Sequence, residues 1–168
     1  MRAWSCKRAR LSAGERAPLA RHRPAPTLFD MLRSDYIRRI LEQLGRALSR
    51  VRELVDAGDM KAGLAELERT AATLGIPAPL AHAMNDDSLT AVLRTAGHPD
   101  VPKQVVVAEL FFLSAAAARE RGAGAESARL LARARRLYAE LTDDNDALVA
   151  LGVDGRLEEI DRLLNEGG

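Results

Sequence analysis

The chain has 168 residues and one cysteine, and 47% of its residues are apolar and 29% are charged. This length predicts one domain, and the apolar content excludes a wholly disordered chain. A single cysteine excludes a disulfide framework and any zinc site built from several cysteines. No apolar run is near the roughly 20 residues that a membrane span needs, so no membrane-spanning segment is expected.

The net charge of +1 hides a difference between the first 30 residues and the rest. Residues 1–30 contain seven Lys or Arg and two acids, whereas residues 31–168 contain 18 bases and 22 acids. The first segment also holds three prolines and no sustained apolar period, which predicts a disordered basic N-terminal extension. Three interpretations are open: a basic arm for nucleic acid or an anionic surface, a targeting peptide, and a start codon assigned too far upstream. The last is favoured because Met31 lies just before the first periodic segment.

Two amphipathic helices follow, and together they predict an antiparallel hairpin. Ser34 is the expected cap of the first helix, which should cover residues 36–57 and end at Gly58. Asp59 is the expected cap of the second helix, over residues 60–74. Because only residues 57–59 link the two helices, they are expected to lie side by side.

The next long helix is predicted to be the centre of the fold. Residues 76–100 are expected to be irregular, with a short helix from Asp86 to Gly97. From about Pro102 to Arg121 the sequence is apolar on nearly every side, which is typical of a buried helix.

A second hairpin is expected to follow the turn at residues 122–124, with a helix over about 125–141. Short helices are predicted at residues 146–151, ending at Gly152, and after Asp154, and no segment has a strand pattern. The predicted fold class is therefore all-α, with residues 31–168 as a single domain of antiparallel hairpins around the buried central helix.

Two resemblances support this architecture. The segment MLRSDYIRRILEQLGRAL, residues 31–48, and the Ala57-Gly58-Asp59 turn resemble an uncharacterised bacterial family of small all-helical proteins, over about residues 31–141. The two hairpins also resemble tetratricopeptide units loosely, although their turn residues Gly58 and Gly122 are 64 positions apart rather than one repeat of about 34. The resemblances imply a helical, repeat-like, right-handed bundle and imply no activity.

Candidates for catalysis and metal binding are few. None of His22, His82 and His98 has the spacing of a metal-binding pair. The acidic clusters at residues 85–87 and 143–146 contain consecutive acids rather than the alternating oxygen ligands of a calcium loop, so they are predicted to be helix caps. Because no phosphate-binding loop or nucleophile motif is present, the sequence predicts neither an enzyme nor a cofactor.

The helix predicted over residues 125–141 has a basic side that could bind a ligand. Arg129, Arg133 and Arg136 form a speculative basic surface there. A solvated face is favoured over a nucleic-acid interface, because the body is net acidic and aromatic residues are scarce.

The function predicted from these patterns is that of a soluble, cytoplasmic helical module for protein interaction, a scaffold or adaptor. Stacked hairpins form grooves that accept a helix or peptide of a partner, which the sequence does not identify, and self-association is open. The alternative is a nucleic-acid-associated protein that uses the basic extension and the Arg-rich helix.

Overall fold

The fold is seen in a computed structural model, which describes residues 28–141 and 145–166, and the side chains of residues 38–141 and 146–166. The extension predicted as disordered lies outside the described residues up to position 27, as do Asp143 and Asp144 of the second acidic cluster. The described residues form eight helices and one short ribbon. In chain order they are α1 (Leu28–Asp56), α2 (Met60–Thr73), α3 (Ala78–Ala83), α4 (Asp86–Val92), β1 (Arg94–Thr95), β2 (His98–Pro99), α5 (Val101–Glu120), α6 (Gly124–Ala139), α7 (Asn145–Leu151) and α8 (Arg156–Glu166).

The first hairpin is confirmed: α1 and α2 pack against each other across a three-residue link. The Asp59 carboxylate accepts a hydrogen bond of 2.9 Å from the backbone N–H of Ala62, so it caps α2 as predicted. Leu48 and Val51 of α1 and Leu67 of α2 are buried in the shared core.

The predicted start of α1 is wrong. The helix begins at Leu28, so Ser34 lies inside it and does not cap it. Residues 28–33 contain no proline or glycine, and they include the good helix formers Leu28, Met31 and Leu32. Pro24 and Pro26 lie upstream of this start. The predicted boundary of the extension at residue 30 rests on composition. The helix propensity of residues 28–33 instead extends α1 upstream of that boundary.

The buried central helix is also confirmed. α5 packs against α6 and α2, and most of its side chains are buried, from Gln104 to Leu113 without a break. The Asp100 carboxylate caps its first turn by accepting from the backbone N–H of Lys103.

By length and composition α5 is also long and apolar enough to cross a membrane. The sequence expectation that no segment reaches this limit therefore fails at α5. However, 67% of its apolar 18-residue stretch is buried against the other helices, as in the core helix of a soluble protein.

The chain between α4 and α5 departs from the prediction. The helix from Asp86 ends at Val92 instead of Gly97, and the next residues pair as an antiparallel ribbon, Arg94 with Pro99 and Thr95 with His98. Ala96 and Gly97 both have positive φ, 52° and 83°, which is the backbone of a two-residue type I′ turn. The prediction that the chain contains no strand is thus wrong for four residues, and the all-α class is unchanged.

Candidate functional site

The three arginines of the predicted basic surface lie on α6 in different surroundings. Arg133 is buried, and its Nε lies 2.9 Å from Oδ1 of Asp86. Arg136 is exposed and lies 3.7 Å from the Asp86 carboxylate and 3.2 Å from that of Asp87. Arg129 is exposed and, among the described side chains, no carboxylate approaches it. Acids at the start of α4 therefore pair with two of the three cations.

Arg133 joins four helices. Its guanidinium donates to the backbone carbonyls of Met84 at 2.9 Å and Ala81 at 3.3 Å, which satisfies acceptors at the end of α3. It also lies over the ring of Phe111, 4.3 Å from the centroid. The edge of the His82 ring meets the same phenylalanine, with centroids 5.2 Å apart. Burial lowers the pKa of His82, and the charge of Arg133 lowers it further.

A second ionic cluster, which sequence reasoning missed, lies in the core. The carboxylate of Glu109 is buried in α5 and accepts a hydrogen bond of 2.6 Å from the hydroxyl of Tyr138. The guanidinium of Arg156, at the start of α8, donates to the two oxygens of Glu109 at 2.7 and 3.0 Å. Arg156 also pairs with Glu159 and lies 4.2 Å from the ring centroid of Phe112. This cluster fastens α8 to α5 and α6.

The electrostatics of this cluster follow from burial and pairing. Burial raises the pKa of Tyr138 well above its ordinary value, and the neighbouring Glu109 carboxylate raises it further. Burial alone lowers the pKa of Arg156, but the attraction of Glu109 outweighs it and the pKa is raised. Since Glu109 accepts three hydrogen bonds from structural partners, the cluster holds helices together rather than presenting a free base.

The other sequence candidates are also placed by the structure. Asn85 accepts a hydrogen bond of 2.8 Å from the backbone N–H of Ser88, which confirms the predicted cap of α4. His82 lies in α3, half-buried, His98 lies in the ribbon, and His22 is outside the described residues. Within residues 28–141 and 145–166, no group of three His, Cys, Asp or Glu is close enough to hold a metal ion.

An open groove of about 680 Å³ lies between α1 and α7 and is called the α1–α7 groove. Its apolar wall contains the half-buried Leu41 and the exposed Val149 and Ala150. Val149 is 54% exposed, the highest value among the exposed large apolar side chains of the described residues. The two helices approach closely at Gly45, where an added Cβ would lie 3.7 Å from the carbonyl oxygen of Ala150.

Arg52 fixes the end of α7 against α1. Its guanidinium donates to the carbonyls of Gly152 at 3.0 Å and Leu151 at 3.4 Å, so it serves as a cap from another helix. Gly152 has a φ of +67°, and a Cβ there would lie 2.6 Å from the Arg52 guanidinium. The positive φ favours glycine, whereas the Arg52 guanidinium is the end of a flexible side chain and could move away from an added Cβ. The floor of the groove is therefore anchored, while its apolar wall is open to solvent.

The tetratricopeptide-like arrangement and the resemblance to a bacterial family stay predictions. Comparisons with protein families, with curated proteins and with solved structures find no match to this chain.

Proposed function

We propose that this protein is a soluble, cytoplasmic bacterial scaffold or adaptor, and that the α1–α7 groove receives an amphipathic helix or peptide of a partner protein. The observation that carries the proposal is the exposure of Val149 in the wall of an anchored groove. Grooves between helices accept amphipathic helices through apolar anchor residues. The proposal includes no catalytic step.

The charged rim of the groove supports a partner with both apolar and polar contacts. Arg38 and Glu42 form an exposed pair on α1, and Arg46 also lies at the groove. A polar rim around an apolar centre is the usual arrangement of a protein interface. The amphipathic partner helix would place its apolar stripe on Val149 and its polar flank on this rim.

A capture experiment with two valine variants tests the proposal. Full-length protein is immobilised, incubated with lysate of the source organism, and the captured proteins are quantified by mass spectrometry. We expect Val149→Asp to reduce capture of a specific partner about tenfold, because a charge in the groove has to be desolvated. Val92→Asp is the matched control, since Val92 is 42% exposed on α4, away from the groove. Equal capture by both variants and the native chain would contradict the proposal.

The alternative function, association with nucleic acid, is favoured by the +5 charge of residues 1–30 and by the exposed Arg129. A fluorescence-anisotropy titration at two salt concentrations separates the two functions, because phosphate contacts weaken steeply as salt rises. We expect weak, salt-sensitive binding by the full chain. Tight binding that survives removal of residues 1–30 but is lost when the exposed Arg129 and Arg136 become Ala would favour the alternative.

A further inference from the structure

A second cleft lies where α5, α6 and α8 meet, and it shares no residue with the α1–α7 groove. Its volume is about 310 Å³. The side chains of Phe112, Ala116, Leu131 and Leu163 give it an apolar floor, in which Phe112 and Leu131 are buried. This volume is at the lower end of the roughly 300–1,000 Å³ of small-molecule sites, so the cleft suits a ligand smaller than a typical drug.

The rim of this cleft carries one cation and one anion. Arg119 and Glu120 are both exposed at the end of α5. Neither has an ion-pair partner among the described side chains, whereas the neighbouring Arg121 lies 3.7 Å from Glu126. Ser127 adds a buried hydroxyl to the wall, from the first part of α6.

We propose that this cleft binds a free apolar α-amino acid of the leucine or phenylalanine type. The apolar side chain lies on Phe112, Leu131 and Leu163, the α-carboxylate meets the Arg119 guanidinium, and the α-ammonium meets the Glu120 carboxylate. A small zwitterion with an apolar body matches an apolar floor beside one unpaired charge of each sign. An apolar anion would pair with Arg119 and leave Glu120 without a cation.

Binding at this cleft is coupled to the position of α8, because Leu163 of α8 forms one wall. α8 is fastened at its other end by Arg156 to Glu109. A ligand that contacts Leu163 binds only when α8 is packed, so it stabilises the packed helix by mass action. Amide hydrogens of α8 are therefore expected to exchange more slowly in the presence of the amino acid.

The test is a two-dimensional NMR titration of the full chain with L-leucine. The contacts predict millimolar affinity, with saturable shifts at Ala116, Arg119, Ser127 and Leu163. The probes 4-methylpentanoate, which lacks the ammonium group, and isopentylamine, which lacks the carboxylate, should each bind about two- to fivefold more weakly, as expected when one exposed ion pair is lost. Equal binding of leucine and 4-methylpentanoate, or no saturable shift at these residues, overturns the proposal.

Two surface variants locate the site without a risk to folding. Arg119→Ala should weaken leucine binding about two- to fivefold. Arg129→Ala is the matched control, because Arg129 is another exposed arginine without a carboxylate partner among the described side chains, and it does not line this cleft. Arg129→Ala should leave binding unchanged. An equal loss with both variants would indicate a general charge effect and overturn the assignment to this cleft.

Discussion

Two adjacent phenylalanines of α5 each carry an arginine on one ring face, Arg133 on Phe111 and Arg156 on Phe112. The two regions differ in the carboxylate that pairs with the arginine. The Asp86 side chain is 45% exposed, whereas the Glu109 side chain is 4% exposed. Water can solvate Asp86 when its partner is removed, but it cannot reach Glu109. The solvation of the acid, rather than the contact of arginine with the ring, therefore sets how much stability is lost when the arginine is removed.

The largest effect is expected at the buried cluster. Arg156→Met should lower the free energy of unfolding by about 3–5 kcal/mol, because it leaves the Glu109 carboxylate buried without its cation. Urea denaturation measures the loss. The double variant Glu109→Gln with Arg156→Met removes the buried charge and keeps an acceptor for Tyr138, so it should recover much of the stability. A double variant as unstable as the single one would show that the unpaired charge is not the cause.

A smaller effect is expected at the other arginine. Arg133→Met should lower the free energy of unfolding by about 1–3 kcal/mol, because the carbonyls of Ala81 and Met84 lose their donor while Asp86 becomes hydrated. The same urea titration applies. Arg129→Met, on the exposed side of the same helix, should change stability by less than about 0.5 kcal/mol. If Arg133→Met and Arg156→Met lowered the free energy of unfolding equally, the proposed difference between the two clusters would be wrong.

The two clusters should also affect the stability of the fold at opposite ends of the pH range. The Glu109 cluster affects it on the alkaline side. The pKa of Tyr138 is raised in the folded protein, so above about pH 10 the unfolded chain loses a proton that the folded chain keeps. The contribution of Tyr138 to stability is therefore present below pH 10 and lost as the pH rises beyond it. Unfolding measured between about pH 8 and 11 should show a shallower decline for Tyr138→Phe than for the native chain. Parallel declines would contradict this.

The Arg133 cluster contributes on the acid side, through His82. Burial and then the charges of Arg133 and Arg129 lower its pKa below 6.5, against weaker effects of Glu68 and Glu126. The unfolded chain therefore binds the proton more readily, and stability should be lost as the pH falls through 6.5. His82→Gln should flatten this part of the profile, which thermal unfolding between about pH 5 and 8 can measure. An unchanged profile would exclude His82 as its source.

Much of the fold could be predicted because it follows from local rules. The hairpin of α1 and α2 follows from two apolar faces and a three-residue link, and the burial of α5 follows from its apolar circumference. The ribbon could not be predicted from periodicity, since two-residue strands have no period. The sequence feature that could have indicated the ribbon is the Ala96-Gly97 pair before His98-Pro99. This pair fits a turn with positive φ as well as it fits the end of a helix.

The clusters were harder to predict because their partners are far apart in sequence. Arg133 did carry a signal, since it lies between Leu130 and Leu137 on the apolar stripe of α6, where a solvated arginine is not expected. Glu109 also had a recognisable sequence signal, because it is an acid within the long apolar segment of α5. The pairing of Glu109 with Arg156, 47 residues later, depends on how α8 packs, and no spacing rule predicts it.

That separation has a consequence for synthesis in the cell. A ribosome adds roughly 5–20 residues per second, so the codon for Arg156 is read about 2–9 s after the codon for Glu109. During this interval α5 carries the Glu109 carboxylate without the Arg156 guanidinium that pairs with it in the folded protein. The final assembly of the core therefore has to wait for α8. Until then α5 is the segment of the described fold that a chaperone is most strongly expected to bind.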